Sequence, residues 1–188
     1  MDTSLNKEAR GQNRAFEETV EMVRSELSKD GKTLDLTACY LKEYGAKDLA
    51  RMEILKDLAS LELGTNLMGA KGVKYLANSK VLTNLTSLNL FYNAIGNEGV
   101  KFIAISDNLL SLQNLTLSDN NITDEGAKYL AKFLPLWTNL RRLDLRLNKI
   151  REEGQAALRE AAEKSEVKQI LLDKFEGFNV KGGGGGHL

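Results

Sequence analysis

The stretch LTSLNLFYNAIGNEG, Leu85–Gly99, decides the fold. Leu88 and Leu90 alternate as in a short strand, Asn93 follows, and Ile95 and Gly99 lead into an apolar stripe. The same pattern recurs along the chain. Aligned on the residue that closes LxxLxLxxN, the copies are GKTLDLTAC (31–39), LASLELGTN (58–66), LTSLNLFYN (85–93), LQNLTLSDN (112–120) and LRRLDLRLN (140–148), with a weaker VKQILLDKF (167–175). The closing residues are Cys39, Asn66, Asn93, Asn120, Asn148 and Phe175, spaced 27, 27, 27, 28 and 27. A register held that often is an internal repeat.

The second half of the unit repeats as well. Leu41, Met68, Ile95, Ile122 and Ile150 stand two residues after the closing position, and Gly45, Gly72, Gly99, Gly126 and Gly154 stand six after it. DEGAKYLAKFL (124–134) places Ala127, Leu130, Ala131 and Leu134 on one helical face. Each unit therefore reads as strand, turn, helix. The leucines of the strand face a core, and the closing Asn is expected to be buried, its amide satisfying turn backbone groups as a ladder between repeats. Cys39 takes the ladder position in the first unit, and Phe175, which can extend no polar ladder, marks a terminal unit.

With its LxxLxLxxNxIxxEG motif the chain resembles the leucine-rich repeats of the ribonuclease-inhibitor type over residues 31 to about 175. The resemblance implies an α/β solenoid, a horseshoe with parallel strands on the concave face and helices on the convex face. Its plain, proline-poor units also look like those of bacterial proteins that mimic eukaryotic repeats, which implies an effector acting in a host cytosol.

The ends are read from the same physics. Residues 1–12 are expected to be disordered. Residues 13–30 are expected to form a capping helix, with Phe16, Val20, Val23 and Leu27 on one stripe and Gly31 as its stop signal. The repeats occupy 31–175, and 176–188 are a cap remnant followed by a low-complexity, Gly-rich tail. Pro135 should end the helix that precedes it, and Trp137 is expected to pack inside the turn.

Of the chain's 188 residues, 26 are Lys or Arg and 26 are Asp or Glu, so the net charge is zero. That balance argues against broad capture of nucleic acid or of an anionic membrane. The N-terminus has no apolar signal-peptide core, no long apolar run spans a membrane, and one cysteine makes no disulfide framework, so a cytoplasmic location is expected. The single His187 lies in the glycine tail, which disfavours His-based nucleophilic catalysis and, with one Cys, a zinc site. LSDNNITDEG (117–126) superficially suggests calcium. The repeat explains it better: Asn120 is a ladder residue, and Asp124 and Glu125 open a helix where acids suit the dipole. Neither metal nor cofactor is expected, and the chain reads as a non-enzyme.

Function in a repeat array lies where the repeats differ. Third, fifth, seventh and eighth positions of LxxLxLxxN vary, and they face outward on the concave sheet. Phe91 and Tyr92 stand where sister units carry Gly-Thr, Ser-Asp and Arg-Leu. Aromatics and arginines are enriched at interface hot spots. The expected partner-binding set is Phe91 and Tyr92 as anchors with Asn89, Asn114, Thr116, Asp119, Arg142, Asp144, Arg146 and Leu147, although Asp144 can simply pair with a neighbouring Arg. Six strands at roughly 4.8 Å make a sheet about 29 Å wide, which suits a protein surface. On the convex side, the Lys47, Lys74, Lys101, Lys128 column is expected to be a solvated face, and the Tyr75, Phe102, Tyr129 column to pack helix on helix.

The leading reading is a protein–protein interaction module, monomeric when unbound, that grips a partner through the concave sheet and inhibits it by occlusion if it is an enzyme. The alternative is a GTPase-activating or targeting module of a larger enzyme, because the Ran GTPase-activating protein shares the repeat type. No residue here matches its working arginine individually. A scaffold that uses the convex helices is a third option.

Overall fold

The computed structural model describes residues 3–173, with side chains described from Ala15 onward. The expected closing residue Phe175, His187 and the segment 176–188 lie outside the described residues. The chain alternates helix and strand: α1 (Thr3–Glu26), β1 (Thr33–Asp35), α2 (Lys42–Leu49), β2 (Ser60–Glu62), α3 (Gly69–Ala77), β3 (Ser87–Asn89), α4 (Gly96–Ala104), β4 (Asn114–Thr116), α5 (Asp124–Phe133), β5 (Arg142–Asp144), α6 (Glu152–Glu163) and β6 (Gln169–Leu171). Six strands form one parallel sheet in sequential order, and each pairs in register with the equivalent residues of the next, as Ser60 with Ser87 and Ser87 with Asn114. The architecture is the expected α/β leucine-rich-repeat solenoid.

The core lies between sheet and helices. The two strand leucines of each full unit are buried, among them Leu61, Leu63, Leu88, Leu90, Leu115 and Leu117, all at most 2% exposed. Burial of one such side chain stabilises the fold by roughly 1.5–3 kcal/mol. Crowding by the side chain four residues earlier, and in later units by the preceding repeat, explains the glycine column. A Cβ on Gly45 would stand 2.7 Å from Cβ of Leu41, and one on Gly154 2.6 Å from Oδ1 of Asp124. The expected ladder is present. Asn93 Nδ2 donates to the carbonyls of Leu63, Leu90 and Phe91, while its Oδ1 accepts from the backbone N–H groups of Asn66 and Met68. Asn66, Asn120 and Asn148 make equivalent bonds. Cys39 ends the series differently: it is half-buried, and its Sγ donates to the Thr37 carbonyl within its own turn.

The N-terminal helix starts at Thr3, so the segment expected to be disordered is helical from that residue onward. The good helix formers Lys7, Glu8, Ala9 and Arg10 propagate the packed helix toward the N-terminus. The helix ends at Glu26, and Leu27 then pairs antiparallel with Leu34, covering the edge of β1. Gly31, at φ +71°, serves the turn between them rather than the helix end. At the other end of the array, Pro135 stops α5 and begins a short 3-10 turn over Leu134–Leu136, behind which Trp137 is 3% exposed.

Candidate binding face

The concave face takes its shape from two recurring turn devices. In three units the fifth-position side chain accepts a hydrogen bond from the backbone N–H two residues on: Asp35 from Thr37 at 2.9 Å, Asn89 from Phe91 at 2.9 Å and Asp144 from Arg146 at 3.1 Å. The eighth position then turns left-handed in every full unit, with φ of 59° at Ala38, 60° at Thr65, 52° at Tyr92, 54° at Asp119 and 58° at Leu147. This conformation carries the side chain of the eighth residue out of the strand. For a tyrosine it costs about 1–2 kcal/mol relative to right-handed backbone.

Phe91 is held from several directions. Its N–H is fixed by Asn89, and its carbonyl accepts from Thr65 N–H at 2.8 Å and from Asn93 Nδ2 at 3.0 Å. Its ring rests over the seventh position of the preceding unit, which is Gly64. Tyr92 stands beside it, with ring centroids 6.0 Å apart and planes tilted by 38°. Tyr92 is 48% exposed, whereas Phe91 is half-buried. The pair is a preformed, partly open aromatic step in the middle of the sheet.

Charge divides on either side of that step. Asp35 and Glu62 lie on the first two strands; Thr37, through its hydroxyl and N–H, holds the Asp35 carboxyl below its usual value. Glu62 accepts a 2.7 Å bond from Asn89 Nδ2. On the fifth strand Arg142 is exposed and reaches Gln169 at 3.1 Å. Arg146 grips Asp144 through Nε and Nη2, at 3.0 and 2.5 Å. Burial pushes the Asp144 carboxyl up, but hydrogen bonds and charge from Arg146 outweigh it and keep the carboxyl below its usual value. Asp144 is 4% exposed. It therefore presents little surface of its own and acts by holding Arg146 in place. Asn114 and Leu147 are exposed, and Thr116 and Asp119 are half-buried.

A model of the Leucine Rich repeat family matches residues 81–104, 108–131 and 138–158. The fold is a leucine-rich-repeat solenoid. No curated protein matches the chain. Leucine-rich repeats generally mediate protein–protein interaction and are typically non-catalytic.

Two further observations bear on chemistry. Burial, together with Glu26 and Asp35, pushes the Cys39 thiol up, which disfavours the nucleophilic thiolate. Asp124, a member of the calcium-like string, caps the next repeat: its Oδ1 accepts from the N–H groups of Arg151 at 2.6 Å and Gly154 at 3.1 Å. Among the described residues no helix is long and apolar enough to cross a membrane.

Sequence reasoning passed over several features of these leucine-rich repeats. Gly64 reads as an ordinary small residue, yet its emptiness gives Phe91 a seat. Tyr40 and Leu67, at 68% and 43% exposure, are further exposed apolar side chains in the strand-to-helix turns. The signal available was their place one residue after the closing position. On the convex side, each lysine lies over the aromatic of the following repeat: Lys47 over Tyr75, Lys74 over Phe102 and Lys101 over Tyr129, at 5.9, 5.2 and 5.9 Å from the ring centroids. Two expected columns thus form one ladder.

Proposed function

We propose that this solenoid binds a partner protein through its concave sheet, with Phe91 and Tyr92 as the central anchors. The observation that carries the reading is the aromatic step itself: the repeat needs no aromatic at either position, and Tyr92 occupies unfavourable left-handed backbone. The repeat imposes that conformation on the eighth residue of every full unit, so what fits selection for contact rather than for stability is the choice of an aromatic there. Arg142 and Arg146 supply polar contacts on one side of the step, supported by Asn89, Asn114, Thr116, Asp119 and Leu147. Asp144 contributes by orienting Arg146. The partner surface that fits is apolar at its centre, basic toward Asp35 and Glu62, and acidic toward the arginines.

The binding energy comes from desolvating the aromatic pair on a backbone already fixed by hydrogen bonds, so little ordering is lost on association. If the partner is an enzyme, a curved sheet seated over its active site inhibits it by occlusion. The 27–28-residue period with one helix per unit supports the ribonuclease-inhibitor type of repeat. Amide hydrogen exchange on the solenoid with and without its captured partner tests the face directly. Protection concentrated in the segments after β3 and β5 is expected, and protection confined to the helices overturns the reading.

A further inference from the structure

The convex surface departs from its own charge pattern between α2 and α3. Position eight after the closing residue is Lys47, Lys74, Lys101 and Lys128 in successive units, and position five is Lys71, Glu98, Glu125 and Glu153 from the second unit onward. The register of the array sets position eight of one unit against position five of the next. Lys101 thereby meets Glu125 at 3.0 Å, and Lys128 meets Glu153 at 2.5 Å. Between α2 and α3 the same register offers Lys47 not a glutamate but Lys71.

The two lysines line a groove of about 820 Å³ that also receives Arg51, Lys74 and Lys80. Lys47 has no ion-pair partner among the described residues, and neither has Lys74, although the register sets Glu98 against it and Glu98 pairs instead with Lys101; each lysine lies over an aromatic ring. Among the described residues Lys71 pairs with Glu43 alone, at 4.0 Å, and Lys80 holds the neutral amide of Asn108 at 3.2 Å. Arg51 is neutralised by Asp48 at 2.7 Å. Of the five cations that line the groove, Lys47, Lys74 and Lys80 have no carboxylate partner among the described residues.

We propose that this groove binds an acidic peptide segment of a partner protein. Charge complementarity selects an anion, and the lining selects a peptide among anions. Glu43 and Glu53 also line the groove and repel a uniformly charged polyanion, whereas the half-buried Tyr75 and Ala50 supply apolar contact. A segment that alternates carboxylates with apolar side chains satisfies both. The site lies on the helical side and is independent of the concave reading.

Fluorescence polarisation of a fluorescein-labelled peptide of alternating Glu and Leu, titrated with the full chain, tests the proposal. Saturable binding that weakens with added salt is expected. Lys71→Glu supplies the carboxylate that later repeats carry at this position, so the fold should persist by circular dichroism while affinity falls roughly tenfold or more. Lys128→Gln, at a position already paired with Glu153, should retain affinity, as should Phe91→Ala/Tyr92→Ala. Absence of binding, or equal loss in Lys71→Glu and Lys128→Gln, overturns the proposal. Tighter binding of an oligodeoxythymidine or of phosphatidylserine vesicles than of the peptide overturns the assignment of the ligand.

Discussion

Phe91 lies over Gly64: its Cβ and Cδ1 stand 3.8 Å from the place that a Cβ on Gly64 would occupy. The glycine is buried although it has no side chain, because Thr37 of the preceding repeat and Phe91 of the next one cover it. Contact of this kind seats the aromatic without making the fold depend on it. Leu90, one residue earlier, is fully buried in the core. Leu90→Ala should cost about 2–5 kcal/mol, and Phe91→Ala about 1 kcal/mol or less. Urea denaturation of both variants checks the contrast; an equal cost would make Phe91 a core residue and remove the reason for assigning it to a partner.

Tyr92 bears on the same point from the opposite direction. Its φ of 52° suits Asn better than an aromatic. Tyr92→Asn is expected to raise stability by about 0.5 kcal/mol while partner capture declines, the trade seen where function holds a strained residue. A lowered melting temperature in Tyr92→Asn would mean that the ring stabilises the turn after all.

The ladder predicts a large loss from a small change. Asn93→Ala removes five hydrogen bonds to backbone groups of two adjacent repeats, four of them buried. Their desolvated donors and acceptors should cost about 3 kcal/mol or more, read as a fall in the denaturation midpoint. A change below about 1 kcal/mol would show that water replaces the amide without penalty.

Strands, helices, ladder asparagines and the glycine column were legible in the sequence because each answers to a local period that the array repeats. The position of Phe91 and Tyr92 on a varying column was legible for the same reason. What each side chain does there was not. The seat on Gly64, the place of Lys47 over the ring of Tyr75 and the sharing of one groove by Lys47 and Lys71 arise between units, from residues roughly one repeat apart brought together by the register. The pairing of Asp144 with an arginine was legible, but its burial was not, since an outward strand position does not say how far that arginine folds back across it. The early start of α1 escaped because its first turns carry no apolar stripe, only helix-forming residues.

Acid should separate Asp144 from the surface carboxylates. Arg146 keeps its folded carboxyl below the usual value, so the pair's contribution is fully present above the unfolded value of about 3.9 and is lost as pH falls through the folded one. Asp144→Asn should melt lower than the parent chain at neutral pH, and the gap should close below about pH 4. A gap of the same size at pH 3 and pH 7 would mean that the ion pair is not what Asp144 contributes.

The central claim, that the concave aromatics grip a partner protein, meets its most direct measurement in affinity capture with quantitative mass spectrometry, comparing the parent chain with Phe91→Ala/Tyr92→Ala. The account predicts a partner recovered by the parent chain and lost from the double variant, whose circular dichroism spectrum stays unchanged. Recovery of that same partner by both proteins in equal amount would contradict it.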